Sequence, residues 1–95
     1  MENSNNLSIE TKIDNYLKSS NIVIIKFDKE NSNYDNFIDS LDYKIVNITD
    51  PDIINFYDIE NLPSMFIYKN KNLIGNIEGF YTKTELIKKI RNIIE

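Results

Sequence analysis

The 95 residues contain no cysteine and no histidine. The first absence removes the thiolate nucleophile, disulfide exchange and iron–sulfur ligation. The second removes the commonest general base and metal ligand, and with it any Ser–His–Asp or Cys–His arrangement. Tryptophan is missing too, so six tyrosines and five phenylalanines supply the large packing units. No apolar run approaches the ~18–20 residues of a membrane span, and no membrane association is expected. Positive charge is in the minority: the formal net charge is −4, which argues against general nucleic-acid binding, because that needs a clustered basic surface. The polar start Met1–Asn6 lacks the basic and apolar regions of a signal peptide, and the expected location is cytoplasmic. Nothing in the composition implies a cofactor, and catalysis is not expected.

What is present suffices for one domain whose stability comes from packing, with 41% apolar residues. Residues 1–6 are expected to form a flexible leader and residues 7–95 a single domain. Ile9, Ile13, Tyr16 and Leu17 follow helical spacing, with Ser8 as a candidate N-cap. Ile22–Phe27 is apolar on both faces, as a central strand of a covered sheet is. Tyr34, Phe37, Ile38 and Leu41 predict a helix of about two turns. Tyr43–Ile48 alternates as a strand, and Asp50-Pro51 starts a short helix carrying Ile53, Ile54 and Tyr57. Met65–Lys69 and Leu73–Glu78 form a hairpin. Thr82 to Glu85 is a capping box opening a helix striped by Leu86, Ile87, Ile90, Ile93 and Ile94. The order α-β-α-β-α-β-β-α implies an α/β fold: a four-stranded mixed sheet flanked by helices, parallel where a helix connects strands.

This order, with a proline just before the hairpin, resembles the thioredoxin family over roughly Ile22 to Ile94. Ile22-Val23-Ile24-Ile25-Lys26-Phe27 looks like the family's strand leading to its redox site. Asp58 to Ser64 is similar to the segment holding the family's cis-proline, here Pro63. Gly79 and the helix from Thr82 match the family's closing elements. The resemblance places Ser32-Asn33-Tyr34-Asp35 where the family has Cys-x-x-Cys. Ser32 thus stands at the attacking cysteine and Asp35 at the resolving one, and a serine hydroxyl without an activating base is no substitute. Lys26 falls where many members carry a buried acid. Lys71 stands at the hairpin turn, where the family usually has glycine.

What the resemblance implies is a redox-inactive, thioredoxin-like protein or peptide binder. Its surface would be formed by Ser32, Asn33, Tyr34 and Asp35, by Leu62, Pro63 and Ser64, and by Phe80 and Tyr81. The backbone N–H and C=O of Leu62 would pair with an extended peptide, a strand addition in miniature. Two alternatives remain open. One is a glutathione-type small-thiol binder with Ser32 as hydrogen-bond donor. The other is a structural subunit, homo-oligomeric through the edge strand Leu73–Glu78. Asp28, Glu30, Asp35, Asp39 and Asp42 make the Ser32 region acidic without the spacing of a calcium loop, as a solvated face or a patch favouring a basic partner. Lys83, Lys88, Lys89 and Arg91 finish the outer side of the last helix.

Overall fold

A computed structural model describes residues 2–30 and 32–95, with burial given for the first helix from Ile9 onward. Its elements run α1 (Glu2–Leu17), β1 (Ile22–Phe27), β2 (Lys44–Ile48), α2 (Pro51–Phe56), β3 (Ser64–Lys69), β4 (Asn72–Glu78) and α3 (Lys83–Ile94). The four strands form one sheet in the order β2-β1-β3-β4. β1 pairs parallel with β2 and antiparallel with β3, and β3 pairs antiparallel with β4. This is the mixed α/β arrangement expected from the order of elements.

The central position of β1 follows from its composition: every residue from Val23 to Phe27 is buried. Alternation divides them between two cores. Val23, Ile25 and Phe27 join Ile13, Val46, Ile48, Ile53 and Ile54 on the side of α1 and α2. Ile24 joins Tyr34, Met65, Ile67, Leu86 and Ile90 on the side of α3. β2 alternates the same way, with Val46 and Ile48 in the first core and Ile45 packed against the second.

Local signals set most boundaries. The Asp50 side chain accepts from the Asp52 N–H with Pro51 in the first turn of α2, and Thr82 and Glu85 close a reciprocal box at the start of α3. Glu85 lies below the usual carboxylate range because the Thr82 N–H and hydroxyl hold its ionised form. In the hairpin, Lys69 faces Asn72, leaving a two-residue turn with Asn70 at φ 51° and Lys71 at φ 72°. Both central residues are left-handed, as the tightest hairpin turns require.

Two boundaries differ from the expectations. α1 begins at Glu2, so Ser8 lies within it rather than capping it. Asn and Ser are only a few tenths of a kcal/mol worse than average helix formers, which sets no barrier to a helical start. Of the expected leader, Met1 lies outside the described residues. The apolar spacing after Ser32 builds no α-helix. It builds two 3₁₀ turns, Asn33–Asn36 and Ile38–Ser40, because Tyr34, Ile38 and Leu41 reach the core from successive tight turns. Among the described residues, no helix is long and apolar enough to cross a membrane.

Candidate functional site

The parallel β1–β2 pair directs the end of β1 toward the 3₁₀ segment, and the approach to β3 lies alongside. β1 carries a lysine in its otherwise apolar run, and Lys26 is fully buried. Its Nζ donates to Asn47 Oδ1 at 2.9 Å and lies 3.1 Å from Asp28 Oδ2 and 3.7 Å from Asp35 Oδ1. Asp28 is itself 1% exposed. One of its oxygens accepts from the Lys29 N–H, while Oδ2, despite its closeness to the ammonium, makes no hydrogen bond. A buried ammonium is therefore neutralised by contact with one buried and one half-exposed carboxylate. Asp35, in turn, accepts from the Ser32 N–H at 3.0 Å, so the charge on Lys26 fixes the loop above it.

Ser32 caps that loop, its Oγ accepting from the Tyr34 N–H at 3.1 Å. It is 8% exposed, which leaves its hydroxyl little surface on which a small thiol could sit. Tyr34 is wholly buried. Its hydroxyl donates to the Gly79 carbonyl at 3.0 Å and accepts from the Tyr81 N–H at 2.8 Å. Burial pushes its phenol above the ordinary value of 10.0. The ring lies 4.5 Å from Phe80 and edge-on to Phe37 at 5.6 Å, centroid to centroid.

The third segment joins through Gly79, whose N–H donates to the Pro63 carbonyl at 2.9 Å. Gly79 sits at φ 92°, a conformation glycine adopts without steric cost. The Leu62–Pro63 bond is cis. Ser64 is buried, with its hydroxyl donating to the Asn61 carbonyl. The three segments expected to form the site are thus linked to one another by named bonds.

Their side chains divide by burial. Asn33, Asp35, Leu62 and Phe80 are exposed, Pro63 and Tyr81 are half-buried, and Ser32, Tyr34 and Ser64 are buried. Tyr34 therefore departs from its expected place on the surface: its hydroxyl has two backbone partners inside, and its ring fills the core beneath Phe80. Among the residues whose burial is described, Leu62 at 42% and Phe80 at 49% are two of four exposed large apolar residues; Leu73 and Ile74, on the edge strand β4, are the others. Lys89 Nζ lies over the Tyr81 ring, 4.5 Å from its centroid.

Beside the Pro63 loop is a recess of about 180 Å³ for which the sequence carries no motif. Half-buried Tyr57, Ile59 and Phe66 with buried Ser64 form its floor, and exposed Asp58, Glu60, Asn61, Asn76 and Glu78 its rim. Asn61 Nδ2 donates to Glu78 Oε2 at 3.1 Å across it. The available signal was charge: 57–64 and 76–81 carry three carboxylates and no lysine or arginine. Among the described residues no group of acids could hold a metal ion.

No protein-family model and no curated protein sequence matches the chain. Solved structures do match in shape. The N21Q mutant thioredoxin of Halobacterium salinarum NRC-1 superposes with a TM-score of 0.73 at 12% identity, over 90% of this chain and 85% of that one. Oxidised mitochondrial thioredoxin 3 of Saccharomyces cerevisiae gives 0.69 at 23% identity, over 86% and 88%. Oxidised Plasmodium falciparum thioredoxin gives 0.64 at 16%, over 84% and 90%. The chain is thioredoxin-like in fold, and it is so without a single cysteine.

Proposed function

We propose that this protein is a non-catalytic binding module that holds a protein or peptide segment at the face formed by Leu62, Pro63, Phe80 and Tyr81, with Asn33 and Asp35 at its margin. The observation that carries the reading is the exposure of Leu62 and Phe80 on two loops joined by the Gly79-to-Pro63 hydrogen bond. Isolated apolar residues on a surface need no explanation, but a pair held on one frame offers anchors for a partner. With no cysteine and no histidine, the face works through shape and contact. This reading keeps the cytoplasmic location expected from the sequence.

The test compares tagged wild-type protein with Leu62→Arg and Leu73→Arg in native lysate, after circular dichroism has shown all three folded. A partner retained by wild type and by Leu73→Arg, and retained at least about tenfold less by Leu62→Arg, supports the reading. Retention unaffected by Leu62→Arg overturns it. A second reading rests on Leu73 at 54% and Ile74 at 38% exposure on the open edge β4: pairing of two copies through this edge. Mass in solution at rising concentration, for wild type and Leu73→Arg, separates the two.

A further inference from the structure

The face proposed above has a cation at its Tyr81 margin, where Lys89 lies over the ring, and only carboxylates toward Pro63. The three segments that build it, 32–35, 57–64 and 76–81, contain Asp35, Asp58, Glu60 and Glu78 and no cation. Asp35 is engaged from below by Lys26. Among the described residues, none of the other three has a lysine or arginine within ion-pair distance, and all three are exposed on the rim of the recess beside Pro63. The floor of that recess is of a different kind: Phe66, Ile59 and the ring of Tyr57, with buried Ser64, whose hydroxyl is already bonded to the Asn61 carbonyl. Tyr57 is packed near the ring of Phe27 at 5.8 Å, and burial raises its phenol above 10.0, so it stays neutral at ordinary pH.

An apolar floor beneath an anionic rim is the complement of one kind of side chain. Lysine and arginine lay an aliphatic stem on apolar surface while the charged head stays at the edge, and their heads are attracted to aromatic faces. An acidic or neutral side chain would gain the floor and lose, or gain nothing from, the rim. We infer that the recess lined by Asp58, Glu60, Asn61 and Glu78 receives a lysine or arginine side chain of the peptide held at Leu62 and Phe80. The inference rests on the binding reading above and adds the partner's chemistry: an extended segment with a basic residue next to an apolar one. Charge of this kind directs which partner is accepted and how fast it arrives, more than how tightly it is held.

The probes are three capped hexapeptides in which leucine alternates with lysine, with glutamine or with glutamate, titrated against ¹⁵N-labelled protein while amide shifts are followed. The expected result is that the lysine peptide shifts the amides of 57–64 and 76–81 and binds about tenfold more tightly than the glutamine peptide. That margin should shrink in high salt and in Asp58→Asn/Glu60→Gln, a pair chosen because Asn tolerates the φ of 56° at position 58 and Glu60 is exposed. Equal binding of the lysine and glutamine peptides at the same amides would overturn the cationic inference and leave the binding face standing. Lysine-peptide shifts confined to the acidic stretch around Asp39 and Asp42, or no shifts, would overturn it too. In that case the Leu62→Arg comparison decides separately whether the face itself survives.

Discussion

A single lysine in an apolar strand governs the ground beneath the candidate site. Lys26 is fully buried with Asp28 at 3.1 Å and Asp35 at 3.7 Å. Removing one member of such a group costs more than removing both, because the survivor is left buried and uncompensated. Lys26→Met should therefore lower stability by about 3–5 kcal/mol in urea unfolding. Lys26→Met/Asp28→Asn should recover most of the loss, since Asn can still accept from the Lys29 N–H as Asp28 does. If the double variant is as unstable as the single, charge compensation is not what Lys26 supplies. The sequence made this position conspicuous as the one charge within Ile22–Phe27, and the resemblance marked it as a place of reversed charge. Its partners were not legible, because Asn47 and Asp35 reach it only through the parallel pairing of β1 with β2 and the tight turns after Ser32. The burial of Tyr34 escaped for a related reason: its two backbone partners, Gly79 and Tyr81, lie more than forty residues away in sequence.

Most elements with strong end signals were readable, while the start of α1 and the segment after Ser32 were not. Asp50-Pro51 and the Thr82–Glu85 box fix α2 and α3, and side-chain alternation fixes the strands. The segment after Ser32 has apolar spacing suited to a helix, but its capping box opens a turn of only four residues. The recess beside Pro63 had no motif at all, only an absence of basic residues in two separated segments. The β3–β4 hairpin carries a measurable flaw that the sequence did announce. Lys71 occupies φ 72°, where a side chain costs on the order of 1 kcal/mol that glycine avoids. Lys71→Gly, giving Asn-Gly at the turn, should raise stability by up to about 1 kcal/mol, seen as a higher urea midpoint with unchanged slope. A lower midpoint would mean that the lysine makes a compensating contact. Packing midway along β4 is close: a Cβ on Gly75 would come within 2.7 Å of Ile93 Cγ2, so glycine there lets α3 lie against β4.

Across the whole molecule, the missing histidine sets the pH response. No side chain has an ordinary titration point between carboxylates and phenols, so stability should be nearly flat from about pH 6 to pH 8. The change comes on the alkaline side. Tyr34, Tyr57 and Tyr68 all lie above 10.0 in the fold, each chiefly through burial. The unfolded chain then loses those protons first, and stability falls as pH rises from 10.0 toward the raised folded values. Unfolding followed at a series of pH values, beside phenolate absorbance, checks the sign; a midpoint that holds steady well above pH 10.0 would contradict it. On the acid side, Glu85 is held low, so its contribution is present above the ordinary carboxylate range and lost as pH drops through its folded value.

The bonds among the loops carry a consequence for the thermodynamics of binding. Tyr34 ties the Ser32 turn to Gly79 and Tyr81, Gly79 ties onward to Pro63, and Asp35 is held from beneath by Lys26. A partner docking at the proposed face of Leu62 and Phe80 would meet a surface whose backbone is already arranged. Little conformational entropy is then lost on the protein's side, and the ordering cost falls on the partner's chain and on a few exposed rotamers. Whatever stiffens the partner in its extended form should tighten the complex, while further stiffening of this protein should change affinity little.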